Sequence, residues 1–94
     1  MPIYIMLSTL TSDGLETIKK KPDRILEVGE ELKAMGVTVK GQWAVLGDYD
    51  FVNIVEAPDN ETIARASVEI GSRGSVSMVT MPAIPVEDFI ASLK

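Results

Sequence analysis

Residues able to do chemistry are scarce in this chain, and the scarcity narrows its function. The 94 residues contain no cysteine and no histidine. Thiolate and imidazole nucleophiles, Ser-His and Cys-His triads, the usual zinc sites and a histidine-ligated haem each need one of those side chains, so all are excluded. Asp48, Asp50 and Asp59 do not follow the spacing of a calcium loop, and no metal site is expected. Arg24 presents two parallel donors near a helix start, suited either to a carboxylate or phosphate or to an ordinary surface acid. The net charge is −5, which repels phosphate backbones. The only basic cluster is Lys19-Lys20-Lys21 with Arg24 nearby; it reads as solvated surface, and no nucleic-acid partner is expected.

The elements that must position these groups follow from periodicity. The length allows one domain, residues 1–94. Alternation over residues 3–10, rich in β-branched and aromatic side chains, predicts a first strand. Residues 11–21 read as a long loop with a helical turn at 15–18. Asp23 then N-caps a helix carrying Ile25, Val28, Leu32 and Met35 on one face, ended by Gly36. Strands follow over 37–46 and 51–57, joined by the turn Gly47-Asp48-Tyr49-Asp50, where glycine supplies positive φ. Asp59 caps a second helix whose Ile63, Ala66, Ser67 and Ile70 share a face, and it closes around Gly71 or Gly74. A fourth strand spans 75–81. Residues 85–93 predict a short third helix with Phe89, Ile90 and Leu93 docked on the body. The apolar start, residues 1–7, is too short to cross a bilayer of about 30 Å, so no membrane partner and a cytoplasmic location are expected.

The order β-α-β-β-α-β, with right-handed crossovers and the first and third strands central, predicts an α+β, ferredoxin-like fold: a four-stranded antiparallel sheet with both helices on one face. A four-residue turn pairs Leu46 with Phe51, Val45 with Val52 and Trp43 with Ile54. Trp43, Val45, Val52 and Ile54 are uniformly apolar and are expected beneath the helices. Leu46, Phe51 and Val55, with Tyr4 and Met6, are expected on the open side. Burying about 1,000 Å² of such a surface could contribute about 10 kcal/mol or more before association costs, which predicts a homodimer packed sheet to sheet. Tyr4, Ser8, Gln42 and Asn53 would then face the dimer interior, where they either bind a small organic ligand or satisfy one another and trapped water.

Gly47-Asp48-Tyr49-Asp50, followed by an apolar strand and Glu56-Ala57-Pro58-Asp59, resembles the GYD domain family, named for its glycine, tyrosine and aspartate. The likeness extends to the Tyr4 strand, Thr11 and Gly14, Arg24, and the Gly71 to Gly74 helix ending. The resemblance implies membership of the dimeric α/β-barrel group, whose domains pair through their sheets and include small oxygenases, haem enzymes and amino-acid-sensing domains. The haem branch leans on an axial histidine that is absent here, so no cofactor is expected. Carried over to this chain, the motif singles out Gly47 as the structural turn, Asp50 as an acceptor for backbone N–H groups, and Tyr49 as a ring at the barrel mouth. In a catalytic version Tyr49 donates a proton that Asp50 or Glu56 orients. Thr11 and Arg24 join Tyr4, Ser8, Gln42 and Asn53 as ligand-binding candidates. Three functions follow: a homo-oligomeric module that binds or senses a small ligand, a cofactor-free oxygenase- or isomerase-like enzyme using Tyr49 and Asp50, or a structural oligomerisation domain.

Overall fold

A computed structural model describes residues 1–94. The elements run β1 (Ile3–Leu10), α1 (Ser12–Lys20), α2 (Arg24–Ala34), β2 (Thr38–Ala44), β3 (Phe51–Glu56), α3 (Asn60–Gly71), β4 (Val76–Ala83) and α4 (Val86–Ser92). The strands form one antiparallel sheet in the order β2-β3-β1-β4, so β1 and β3 are central and the fold is the expected ferredoxin-like α+β arrangement. Both edges carry features that discourage further pairing, Lys40 at a bulge in β2 and Pro82 in β4.

The core forms where the helix stripes meet one face of the sheet. Tyr4, Met6 and Val55 from the sheet, with Val37 just ahead of β2, pack against Leu32 of α2 and Ile63, Ala66 and Ile70 of α3. The end of α2 shows why Gly36 stands where it does. It adopts φ +90°, and the following Val37 N–H reaches back to the Leu32 carbonyl at 2.9 Å, so the turn that stops the helix also brings two core side chains together.

The stretch read as a loop with one turn, residues 11–21, is the helix α1 (Ser12–Lys20) with its two caps. Thr11 accepts from the Gly14 N–H at 3.2 Å as N-cap, Asp13 occupies the first turn and Lys19 and Lys20 the last, so the polar residues that look like loop are helix-end residues. Gly14 is where α1 packs against the backbone just ahead of β4. A Cβ there would lie 2.1 Å from the Ser75 carbonyl oxygen, so only glycine permits the approach. Asp23 makes no side-chain cap bond to α2, whereas Asp59 accepts from the Thr62 N–H at 2.8 Å, as expected.

The faces of the sheet are the reverse of those predicted. The Val45 N–H donates to the Asp50 carbonyl at 2.8 Å, and Trp43 lies opposite Val52, so the turn spans residues 46–49 and Leu46 is fully exposed in it. Asp50 is drawn into the sheet: its N–H donates to the Ser8 carbonyl and its Oδ2 accepts from the Leu10 N–H, both at 2.8 Å. The bulge between Val39 and Gly41 then puts Val37 and Val39 on the same side as Gln42. Together with Tyr4, Met6 and Val55, they form the surface the helices cover. Ile3, Ile5 and Leu7, Val52 and Ile54, Trp43, Val79 and Met81 occupy the open side, with the Trp43 ring lying across Gly41.

The third predicted helix exists as α4, but it does not dock. None of its residues is buried, and Phe89, Ile90 and Leu93 are exposed. β4 runs to the end of the sheet before Pro85 opens the helix in an extended conformation (ψ 138°), which carries the apolar stripe clear of the body. No helix is long and apolar enough to cross a membrane.

Candidate functional site

The sheet and the helices above it leave a pocket of about 110 Å³ unfilled. Its floor is the helix-facing surface of the sheet: Met6 and Ser8 of β1, Phe51 and Asn53 of β3, Gln42 of β2 and Met78 of β4. Ile18 of α1, Ile25, Val28 and Leu32 of α2 and Ile70 of α3 make apolar walls. Gly29 also lines it. A Cβ at Gly29 would meet nothing within 4 Å, although glycine inside a helix costs about 1 kcal/mol relative to alanine. Helix stability is thus forgone where a side chain would narrow the pocket.

The floor carries hydrogen-bonding groups that the fold does not use. Asn53 Oδ1 is buried and has no hydrogen-bond partner, the only such side-chain atom in the chain. An unpaired buried acceptor of this kind costs about 1–3 kcal/mol. The register sets Gln42 directly opposite Asn53 on β2, and Met6 opposite it on β1, so that Ser8 is its diagonal neighbour. Ser8 is buried, and its backbone carbonyl is engaged by Asp50.

Charged residues stand at the rim and are occupied with one another. Arg24 donates to Glu31 at 2.5 Å and to Glu27 at 3.4 Å, while Arg73 bonds Glu31 from the other side and reaches Glu69 at 3.4 Å. The bonds from Arg24 and then Arg73 hold the Glu31 carboxyl below its ordinary range, and the bond to Glu31 raises Arg24 above its own. The cluster ties α2 to the segment after α3 across the mouth of the pocket.

Four of the six ligand-binding candidates line this pocket: Ser8, Arg24, Gln42 and Asn53. Ser8 and Asn53 do so beneath the helices, Gln42 from an exposed position on the same face of the sheet and Arg24 from the start of α2, whereas the sequence placed Ser8, Gln42 and Asn53 in a sheet-to-sheet interior. Tyr4 lies in the core with its hydroxyl donating to Asn60 Oδ1 at 2.6 Å, and Thr11 caps α1 while donating to the Gly74 carbonyl at 2.7 Å. Gly47 has φ +114° in the exposed turn. Tyr49 is half-buried beside it, and the Asp50 carboxylate is engaged by the Leu10 N–H; neither lines the pocket. Glu31, Arg73 and Gly29 were not singled out in the sequence. Gly29 alone had a visible signal, a glycine inside a helical pattern.

An antiparallel four-stranded sheet with its helices on one side and a pocket beneath them defines a ferredoxin-like α+β domain. The GYD domain model matches residues 4–93, and the chain belongs to the GYD domain family. It is 59% identical over 95 residues to the glutamine synthetase and cystathionine beta-lyase binding protein of Thermus thermophilus, covering all of both chains. Among solved structures it is similar to FFRP-DM1, with a TM-score of 0.60 and 24% identity over 89% of this chain and 100% of that one. It is also similar to a hypothetical protein of Pyrococcus horikoshii, with a TM-score of 0.58 and 26% identity over 90% of this chain and 92% of that one.

Proposed function

We propose that this chain is a homo-oligomeric binding module. A second copy covers the open sheet face, the pocket takes a small organic ligand, and the module docks on metabolic enzymes, with glutamine synthetase and cystathionine beta-lyase the first to test. The carrying observation is the full-length relative, 59% identical and named for binding those two enzymes. The geometry supports a binding role. The pocket has apolar walls and a few polar groups, the usual make-up of a ligand site. The centre of the open face is apolar, with Trp43 55% and Val79 44% exposed, and surfaces of this kind mark association sites. A cytoplasmic setting goes with this reading.

The test is to mix the purified chain with each purified enzyme and follow the mixture by size exclusion with light scattering, and by titration calorimetry. Co-elution and saturable heats are expected with at least one enzyme. A chain that stays dimeric yet binds neither at tens of micromolar, on the order expected for a transient interface, would overturn the docking part. A chain that runs as a monomer at the same concentration would overturn the self-association part.

A further inference from the structure

We infer that the pocket beneath the helices selects a small, uncharged, mostly apolar molecule bearing one hydrogen-bond donor, and that Asn53 Oδ1 is the acceptor that reads the donor. This rests on the reading of the chain as a ligand-binding module and specifies what its pocket accepts.

Size sets the first limit. A cavity of about 150 Å³ lined by apolar side chains holds one benzene, so a pocket of about 110 Å³ encloses somewhat less than one such ring, and a single-ring ligand fits with its far edge in the open mouth. Charge sets the second. Arg24 and Arg73 at the rim are already bonded to Glu31, with Glu27 and Glu69 completing their environment, so a charged ligand would have to compete with bonds already made. The floor sets the third. Asn53 Oδ1 is an acceptor buried without a donor, and a ligand O–H or N–H is the complement it lacks. A site built to hydrogen-bond such a group rejects an analogue of the same shape without it, because the buried acceptor is then left unpaired. Finally, open space at Gly29 leaves the approach clear.

Phenol and toluene are matched in size and differ in the donor, and they are the probes. Both are titrated into the intact chain carrying methyl-labelled methionine and followed by NMR. Phenol is expected to shift Met6 and Met78, on the pocket floor, and to leave Met81, on the open face, unmoved. Its affinity should exceed that of toluene at least tenfold. Asn53→Leu should abolish or reverse the preference while the chain stays folded, and Gly29→Leu should weaken both ligands at least tenfold. If either variant fails to fold, the wild-type ratio and the methionine that shifts still decide the matter. Equal affinities, shifts centred on Met81, or no binding of either compound up to its solubility would each overturn the inference. The last outcome would mean that water satisfies Asn53. Enzyme docking is measured separately, so retained docking with no phenol binding would sink the pocket assignment alone, and phenol binding without docking would sink only the docking.

Discussion

The two faces of the sheet are built from similar residues and meet opposite fates. On the helix side, Tyr4, Met6 and Val55 are almost wholly buried, yet the packing stops short around Ser8, Gln42 and Asn53 and leaves a pocket. On the open side, Ile5 sits between Ile54 and Met81, and Leu7 between Val52 and Val79, an apolar surface without a gap and without a cover. The face that looks more like a core is the one left bare. On the reading proposed above, the two apolar surfaces have different uses: one holds the monomer together around the pocket, and the other is covered by a second copy.

The sharpest way to break this contrast is a matched pair of truncations. Tyr4→Ala removes a ring from the centre of the core and its hydroxyl bond to Asn60, and should cost roughly 3–5 kcal/mol in urea unfolding. Ile5→Ala, one residue along the same strand, should cost less than about 1 kcal/mol when measured at a concentration dilute enough to hold the chain monomeric, because its side chain faces the open side. Equal costs in the monomer would mean that the faces are not distinct in the way described.

The proposed use of the open face is tested next. Ile5→Asp places a charge in the middle of that surface, where a sheet-to-sheet partner would have to desolvate it. Self-association should weaken at least 100-fold, corresponding to about 2.7 kcal/mol, while circular dichroism keeps the native signal. Phenol binding, on the other side of the sheet, should be unchanged.

Much of this architecture was legible in the sequence, for physical reasons that particular residues make plain. The alternation in 3–10 and 51–57, the glycine at 36 and the aspartate at 59 are local signals acting on their own neighbours, and they marked strands and helix ends; the strand order followed from right-handed crossovers. Thr11 to Lys21 was harder, because threonine, aspartate and lysine serve helix ends as well as loops. The facing of the sheet was harder again. Strand alternation sorts side chains into two sets, but only contact with the helices decides which set is inside. Here both sets carry large apolar side chains, the helix-facing one with Ser8, Gln42 and Asn53 among them, and the bulge at Lys40 moved Val37 and Val39 into the set with Gln42. The same ambiguity governed the site. Ser8, Gln42 and Asn53 were grouped on one face because parity groups them, whereas the pocket they line depends on what the helices fail to fill. The salt-bridge cluster at its rim joins residues from two distant stretches of chain, 24–31 and 69–73, which no spacing announces.

Asp50 ties the end of the β2–β3 turn to β1, donating its N–H to the Ser8 carbonyl and accepting from the Leu10 N–H. Asp50→Ala removes a charged acceptor from the Leu10 N–H and should destabilise the chain by about 1.5–3 kcal/mol. Asp50→Asn keeps an acceptor and should recover about half of that, since neutral hydrogen bonds are roughly half as strong as charged ones. The readout is again urea unfolding of the monomer. If Asp50→Ala has no effect on stability, the carboxylate is not what fixes the turn to the sheet, and a role beside Tyr49 regains interest.

The smallest effect lies at the rim, where charge rather than apolar surface closes the helix side. The Glu31 carboxyl titrates below its ordinary value of 4.5 in the folded chain, chiefly through its bonds to Arg24 and Arg73. A carboxyl whose folded value is depressed adds stability at pH values above its unfolded value, and that addition is lost as pH falls through the folded value. Asp59, also depressed by its bonds to Thr62, acts in the same direction and is left in place. Glu31→Gln should therefore cost less than about 1 kcal/mol at neutral pH, because the cluster is partly exposed and screened by salt. As pH falls below the ordinary carboxylate range, the wild type should lose stability more steeply than the variant, so that the two unfolding curves converge in acid. Parallel acid limbs would show that the cluster contributes nothing to stability. If phenol affinity stays constant through the same titration while stability falls, the rim is a clasp between the helices, and selection rests on the uncharged floor.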